Sequence, residues 1–198
     1  MNYLAHAYLS FQQPGVLTGN MISDFIKGKA QFAYPDIIQK GIQLHRSIDT
    51  FTDYHAATAA AKSFFRKNYR LYSGAFVDVV YDHFLACDTK QYVDYNGLEN
   101  FSVRVYTMLE KDIVFFPARF QFMFPYMKTQ NWLCNYRLKE GIRKSFGGLA
   151  YRAAYLSESD IAFEIFNQYY DELKACYEEF FPELKKFAAD RLSNLLAY

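Results

Sequence analysis

Gly74-Ala75-Phe76-Val77-Asp78-Val79-Val80-Tyr81-Asp82-His83-Phe84-Leu85-Ala86-Cys87 is the stretch on which the fold turns. Its apolar side chains cover almost the whole circumference of a helical wheel, as in a helix at the centre of a helical assembly rather than on its surface. The fully polar members are Asp78, Asp82 and His83, and the two acids are i,i+4 neighbours on one face. Two close carboxylates do not both stay ionised in a dry interior without a cation or a shared proton. The pair therefore points to a bound metal ion, or else to an internal network in which each acid bonds an arginine or caps a neighbouring helix.

Two further segments carry the same chemistry. In Ile42-Gln43-Leu44-His45-Arg46-Ser47-Ile48-Asp49-Thr50-Phe51-Thr52-Asp53, His45 and Asp49 share a face with Ile38, Ile42 and Ile48. The carboxylate one turn on is either a co-ligand or the group that sets the imidazole tautomer. Arg46 lies on another side, with Asp49 and Asp53 beyond it, as an ion-pair partner or a phosphate clamp. Thr18-Gly19-Asn20-Met21-Ile22-Ser23-Asp24-Phe25 places Asn20 and Asp24 one turn apart, and Asn2 and His6 repeat that spacing near the N-terminus. Mixed imidazole and carboxylate sets suit Mn, Mg, Fe or Zn, and they lack the thiolates of a structural zinc site.

Around these segments helical periodicity dominates. It predicts helices at about Asn2–Leu9, Val16–Lys27, from Asp36 toward Phe51, Ala56–Tyr69, Ser73–Cys87, Leu98–Lys111, Phe116–Met127 and Lys139–Phe146. A last pair is expected at Ser157–Phe181 and Pro182–Ala197, with Pro182 opening its helix. No linker composition or repeat divides the 198 residues, so the expectation is one all-α domain over 1–198, a multi-helix bundle.

Composition narrows the function classes. With 22 basic and 21 acidic residues the net charge is +1, which advertises no nucleic-acid partner. The charge is nevertheless uneven. Lys62, Arg66, Lys67 and Arg70 fall in a stretch without an acid, and Arg137, Lys139, Arg143, Lys144 and Arg152 are opposed only by Glu140. Cys87, Cys134 and Cys176 are odd in number and far apart, so a disulfide framework is not expected and each reads as a small core residue. No stretch has the length or apolarity of a membrane span or a leader, and the expected setting is a reducing cytoplasm. Nucleotide-loop and nucleophile-elbow patterns are absent.

The ordered motifs Met1-Asn2-Tyr3-Leu4-Ala5-His6, Gly19-Asn20 with Asp24-Phe25-Ile26-Lys27-Gly28, Gly41 through Asp53, and Asp78 through Ala86 resemble the acyl carrier protein phosphodiesterase family. Gly148-Leu149-Ala150-Tyr151-Arg152 and Tyr170 through Pro182 extend the likeness over essentially the whole chain. The resemblance implies hydrolytic removal of 4′-phosphopantetheine from the serine of holo-acyl carrier protein, a divalent metal with manganese preferred, and a distant kinship to the all-α HD phosphohydrolases. On the family's motifs, His45, Asp49, Asp78, Asp82 and His83 are the expected metal ligands. Asp24, Arg46 and His83 are the expected catalytic groups, supported by His6, Asn20 and Asp53. The dipeptide here is Asp82-His83, the reverse of the pair that names the HD group, so ligands do not transfer from ordinary HD enzymes. Acyl carrier proteins are small and acidic, and Arg66, Lys67, Arg143, Lys144 and Arg152 are the expected docking cations. An HD-like hydrolase of a nucleotide or another small phosphoester is the alternative enzyme, and a helical binding module is the non-catalytic one.

Overall fold

The apolar circumference of the Ser73–Cys87 segment has the consequence expected of it. In the computed structural model, which describes residues 1–92, 96–152 and 159–197, this helix is buried from Val79 through Ala86 without a break. The elements in chain order are α1 (Tyr3–Tyr8), α2 (Pro14–Ile22), α3 (Asp36–Tyr54), α4 (Ala56–Tyr69), α5 (Ser73–Cys87), α6 (Gly97–Glu110), α7 (Ala118–Thr129), α8 (Trp132–Asn135), α9 (Lys139–Arg152), α10 (Asp160–Gln168) and α11 (Tyr170–Leu196). Short 3₁₀ turns occupy Ser23–Phe25, Gly28–Ala33, Arg70–Tyr72 and Ile113–Phe115, and there is no strand among the described residues. The fold is all-α. Around α5 are packed α1, α4, α9 and α11, and α3 lies against α2, α4 and α11.

α2 and α3 approach each other backbone to backbone. A Cβ on Gly19 would lie 2.0 Å from the Ile38 carbonyl oxygen, and one on Gly41 would lie 2.2 Å from the Val16 carbonyl oxygen. Only glycine permits this contact. It brings Asn20, the residue after Gly19, beside His45, one turn beyond Gly41.

Beyond the unexpected α8 and an α9 that runs past Phe146 to Arg152, three features differ from the sequence expectation. α2 stops at Ile22 instead of Lys27, because the chain tightens into the Ser23–Phe25 turn, from which Asp24 reaches His45, and then runs extended at Ile26. The last break falls at Tyr169, and Pro182 sits inside one continuous α11. A proline there forfeits a helical hydrogen bond, at about 3 kcal/mol, but the buried flanking residues Phe180, Phe181 and Leu184 hold the helix against the core. The third concerns the cysteines. None of the three is buried: Cys87 is exposed, Cys134 and Cys176 are partly so, and all are free thiols.

Candidate metal centre

The buried stripe Ile38, Ile42 and Ile48 turns one face of α3 into the core and takes His45 with it, while Asp49, one turn on, stays 39% exposed. α1 delivers a second imidazole. His6 lies ring on ring with His45, centroids 3.9 Å apart and planes 14° from parallel.

Asn20 orients both rings. Its amide nitrogen donates to the His6 carbonyl oxygen (2.9 Å) and to Ser10 Oγ (3.0 Å), which leaves its Oδ1 to face His6 Nδ1 at 2.8 Å. His6 Nδ1 therefore carries hydrogen, as does His45 Nδ1, which faces the Asn20 backbone carbonyl at 2.8 Å. In each neutral ring the lone pair is then on Nε2. His45 Nε2 lies 3.1 Å from Asp24 Oδ1 and 3.1 Å from Asp49 Oδ2. His6 Nε2 lies 3.2 Å from Asp49 Oδ1, is buried and makes no hydrogen bond.

Nitrogen lone pairs aimed at carboxylate oxygens repel unless a proton or a cation lies between them. The donor atoms of His6, His45 and Asp49 all fall within 4.8 Å of one another, so this group can hold a metal ion. Second-partner hydrogen bonds on both Nδ1 atoms are the usual way a ligating histidine is aimed. The chemistry of the donor set fits a divalent cation.

The electrostatics carry the same imprint. Burial depresses the His45 pKa, but the Asp24 and Asp49 carboxylates outweigh it and raise the value to about 9. Burial, reinforced by the neighbouring His45 charge, lowers His6 to about 4. The Asp49 carboxyl is held far below its ordinary range: burial opposes this, but the Met1 amino group and the two histidines outweigh it. Asp24 also falls, through its hydrogen bond to His45. The Met1 amino group lies 3.0 Å from Asp78 and 3.4 Å from Asp49.

Several residues expected at the centre do other work. Asp82 is fully buried, and its oxygens accept from the backbone N–H groups of Leu4 (2.7 Å), Ala5 (3.2 Å) and Asn2 (3.3 Å). It caps the first turn of α1 rather than joining the His6/His45/Asp49 group. His83, one residue further round α5, is turned away. Its Nδ1 meets the Tyr136 carbonyl oxygen at 2.7 Å and its Nε2 the Tyr170 hydroxyl at 2.9 Å. It is not one of the three residues of that group. Asp78 stays beside Asp49 through the shared Met1 amino group. Asp53 pairs with Lys62 at 2.6 Å. The Arg46 guanidinium is taken by Gln31 Oε1 (2.8 Å) and the Ile26 carbonyl oxygen (3.3 Å), so it pins the segment after Asp24. His6, expected in support, is in the group itself. Its signs in the sequence are the Asn2/His6 spacing and the Met1–His6 motif of the family resemblance.

The basic stretches also separate. Arg66 and Lys67 are exposed and have no ion pair among the described residues. Arg143 is taken by Asp160 at 2.8 Å, Lys144 is exposed, and the Arg152 side chain lies outside the described residues.

The all-helical fold converges two imidazoles and two carboxylates from α1, α3 and the turn after α2, a donor set compatible with a divalent cation. A model of the acyl carrier protein phosphodiesterase family matches residues 1–184, and the chain belongs to that family of hydrolases. It is 32% identical to the acyl carrier protein phosphodiesterase of Yersinia pestis over 188 residues, 95% of this chain and 97% of that one. It is 30% identical to the Klebsiella pneumoniae protein of the same name over 191 residues, 96% of this chain and 99% of that one. With the Photorhabdus laumondii protein it shares 29% identity over 96% of both. No solved structure matches the chain. No helix among the described residues is long and apolar enough to cross a membrane.

Proposed function

We propose that this protein hydrolyses the phosphodiester joining 4′-phosphopantetheine to the serine of holo-acyl carrier protein, leaving the apo form, with a divalent cation, manganese preferred, held by His6, His45 and Asp49. The observation that carries the cation is the pair of Nε2 lone pairs converging on Asp49 with both Nδ1 atoms committed to Asn20. The names of the relatives support the substrate.

A divalent ion in such a site neutralises phosphoryl oxygens and lowers the pKa of a bound water. The chain's own groups do the rest. Asp24 is ionised and 68% exposed at the mouth of the centre, placed to take the proton of the attacking water. The departing serine oxygen takes up the proton that Asp24 accepts from the water, so the protons balance. Water forms the new P–O bond, the P–O bond to serine breaks, and serine regains its hydroxyl. Arg46 acts at one remove by fixing the segment that carries Asp24. The three free thiols suit a reducing cytoplasm, where carrier proteins serve fatty acid synthesis.

Incubation of purified protein with Mn²⁺ and holo-acyl carrier protein tests this by mass spectrometry. The expected result is loss of the phosphopantetheine mass, abolished by chelator and by His45→Ala. An intact holo carrier alongside turnover of a nucleotide panel would replace this reading with that of a small-phosphoester hydrolase.

A further inference from the structure

Leaving the metal centre along two helices leads to the same place. One turn beyond Asp49 on α3 is Asp53, and one turn before Asp78 on α5 is Gly74. Both residues line a concavity of about 480 Å³ together with Lys62, Arg66, Arg70, Leu71 and Ser73. A helical turn rises about 5.4 Å, so this basin adjoins the centre.

Its charge is strongly positive. Lys62, Arg66 and Arg70 face the single acid Asp53, a net of +2, and Asp53 is already neutralised by Lys62. Arg66 and Arg70 have no ion pair among the described residues. Arg70 has a left-handed φ of 45°, a conformation that costs a non-glycine residue of order 1 kcal/mol or more. Directly after it, Leu71 is 98% exposed, an apolar tip set among cations. Around α9, by contrast, arginine charge is spent within the molecule: Arg137, just before the helix, pairs with Glu99, and Arg143 with Asp160.

We infer that the Lys62/Arg66/Arg70/Leu71 basin is the surface on which the acidic carrier protein docks, seating the acidic residues that flank its modified serine. This rests on the proposed function. The scissile bond is attached to a serine of a folded protein, so residues on either side of that serine must lie on enzyme surface adjoining the centre. The basin is such a surface, and its sign is opposite to the carrier's. The free arginines steer the encounter and Leu71 supplies a desolvated contact within it.

The test compares R66E/R70E, L71A and R143E/K144E with the wild type, all loaded with Mn²⁺. At low ionic strength R66E/R70E is expected to raise KM for holo carrier on the order of tenfold with kcat within about twofold, and the defect shrinks at high salt. L71A raises KM at every salt concentration, and R143E/K144E leaves it unchanged. Unaltered melting temperatures exclude misfolding as the cause. An unchanged KM for R66E/R70E at low salt, or an equal rise for R143E/K144E, overturns the inference. Titration with apo carrier reads docking without hydrolysis. Weaker binding by R66E/R70E sustains the surface even if the wild type releases no phosphopantetheine, a failure that would count against the proposed function alone. Tighter wild-type binding of a short single-stranded RNA than of the carrier overturns the assignment of partner.

Discussion

Asn20 and His45 are joined through the backbone: the Asn20 carbonyl oxygen holds His45 Nδ1 at 2.8 Å, while the Asn20 side chain holds His6 Nδ1 at the same distance. One residue thus sets the tautomer of both imidazoles, by two different chemical groups.

That division of labour makes Asn20→Ala informative. The substitution frees His6 and leaves His45 anchored. Manganese affinity, measured by titration calorimetry, should fall about 10- to 100-fold, as for other lost partners of a ligating histidine. The variant should also lose about 1–3 kcal/mol of stability, since buried His6 Nδ1 loses its acceptor and Ser10 Oγ loses the Asn20 donor. Wild-type affinity would show that the orientation of His6 is irrelevant to the cation.

Asp82 and His83 separate structural from ligand roles. Asp82→Ala strips three α1 amides of their acceptor and should destabilise by about 3 kcal/mol or more in urea titration. His83→Gln should cost about 1–3 kcal/mol through its lost contacts with Tyr136 and Tyr170. Folded His83→Gln should keep its manganese stoichiometry, and a stoichiometric loss would return His83 to the ligand set.

The metal-free protein should show a defined pH dependence. Folding raises His45 from 6.5 to about 9, so its contribution is fully present below about pH 6.5 and is lost as pH rises through about 9. That loss amounts to about 3 kcal/mol at most. His6 has the opposite sign: its folded value of about 4 gives a contribution present above about pH 6.5 and lost as pH falls through about 4. Denaturation in chelator should therefore be hardest near pH 6.5. Saturating Mn²⁺ should abolish the alkaline loss, because a cation replaces the proton on Nε2. Constant metal-free stability from pH 6.5 to 9.5 would contradict the arrangement.

What could be read in the sequence was whatever depends on one helix. The buried α5, the inward His45 and its companion Asp49 follow from spacing alone, and so does the all-α fold. Spacing places Asp78 and Asp82 on one face of α5, but it does not say which neighbour that face meets. In the molecule Asp78 meets the centre and Asp82 the end of α1. His83 is adjacent to Asp82 in sequence, but one residue of helix is about 100° of rotation, and its ring meets Tyr136 and Tyr170 instead. The place of His6 does not follow from spacing, because it depends on a tertiary approach of a six-residue helix. Pro182 misled in the same way, local chemistry being overruled by the burial of Phe180 and Phe181.

The seat that Asp82 provides for α1 has a consequence in time. Its three backbone partners lie 77 to 80 residues earlier in the chain, and a helix of six residues has no stability of its own. A nascent chain arrested before residue 82 has Asn20 to meet His6 but lacks the carboxylate that seats the first turn of α1. The firm seat of α1, and with it the final position of His6, therefore waits on a residue of α5.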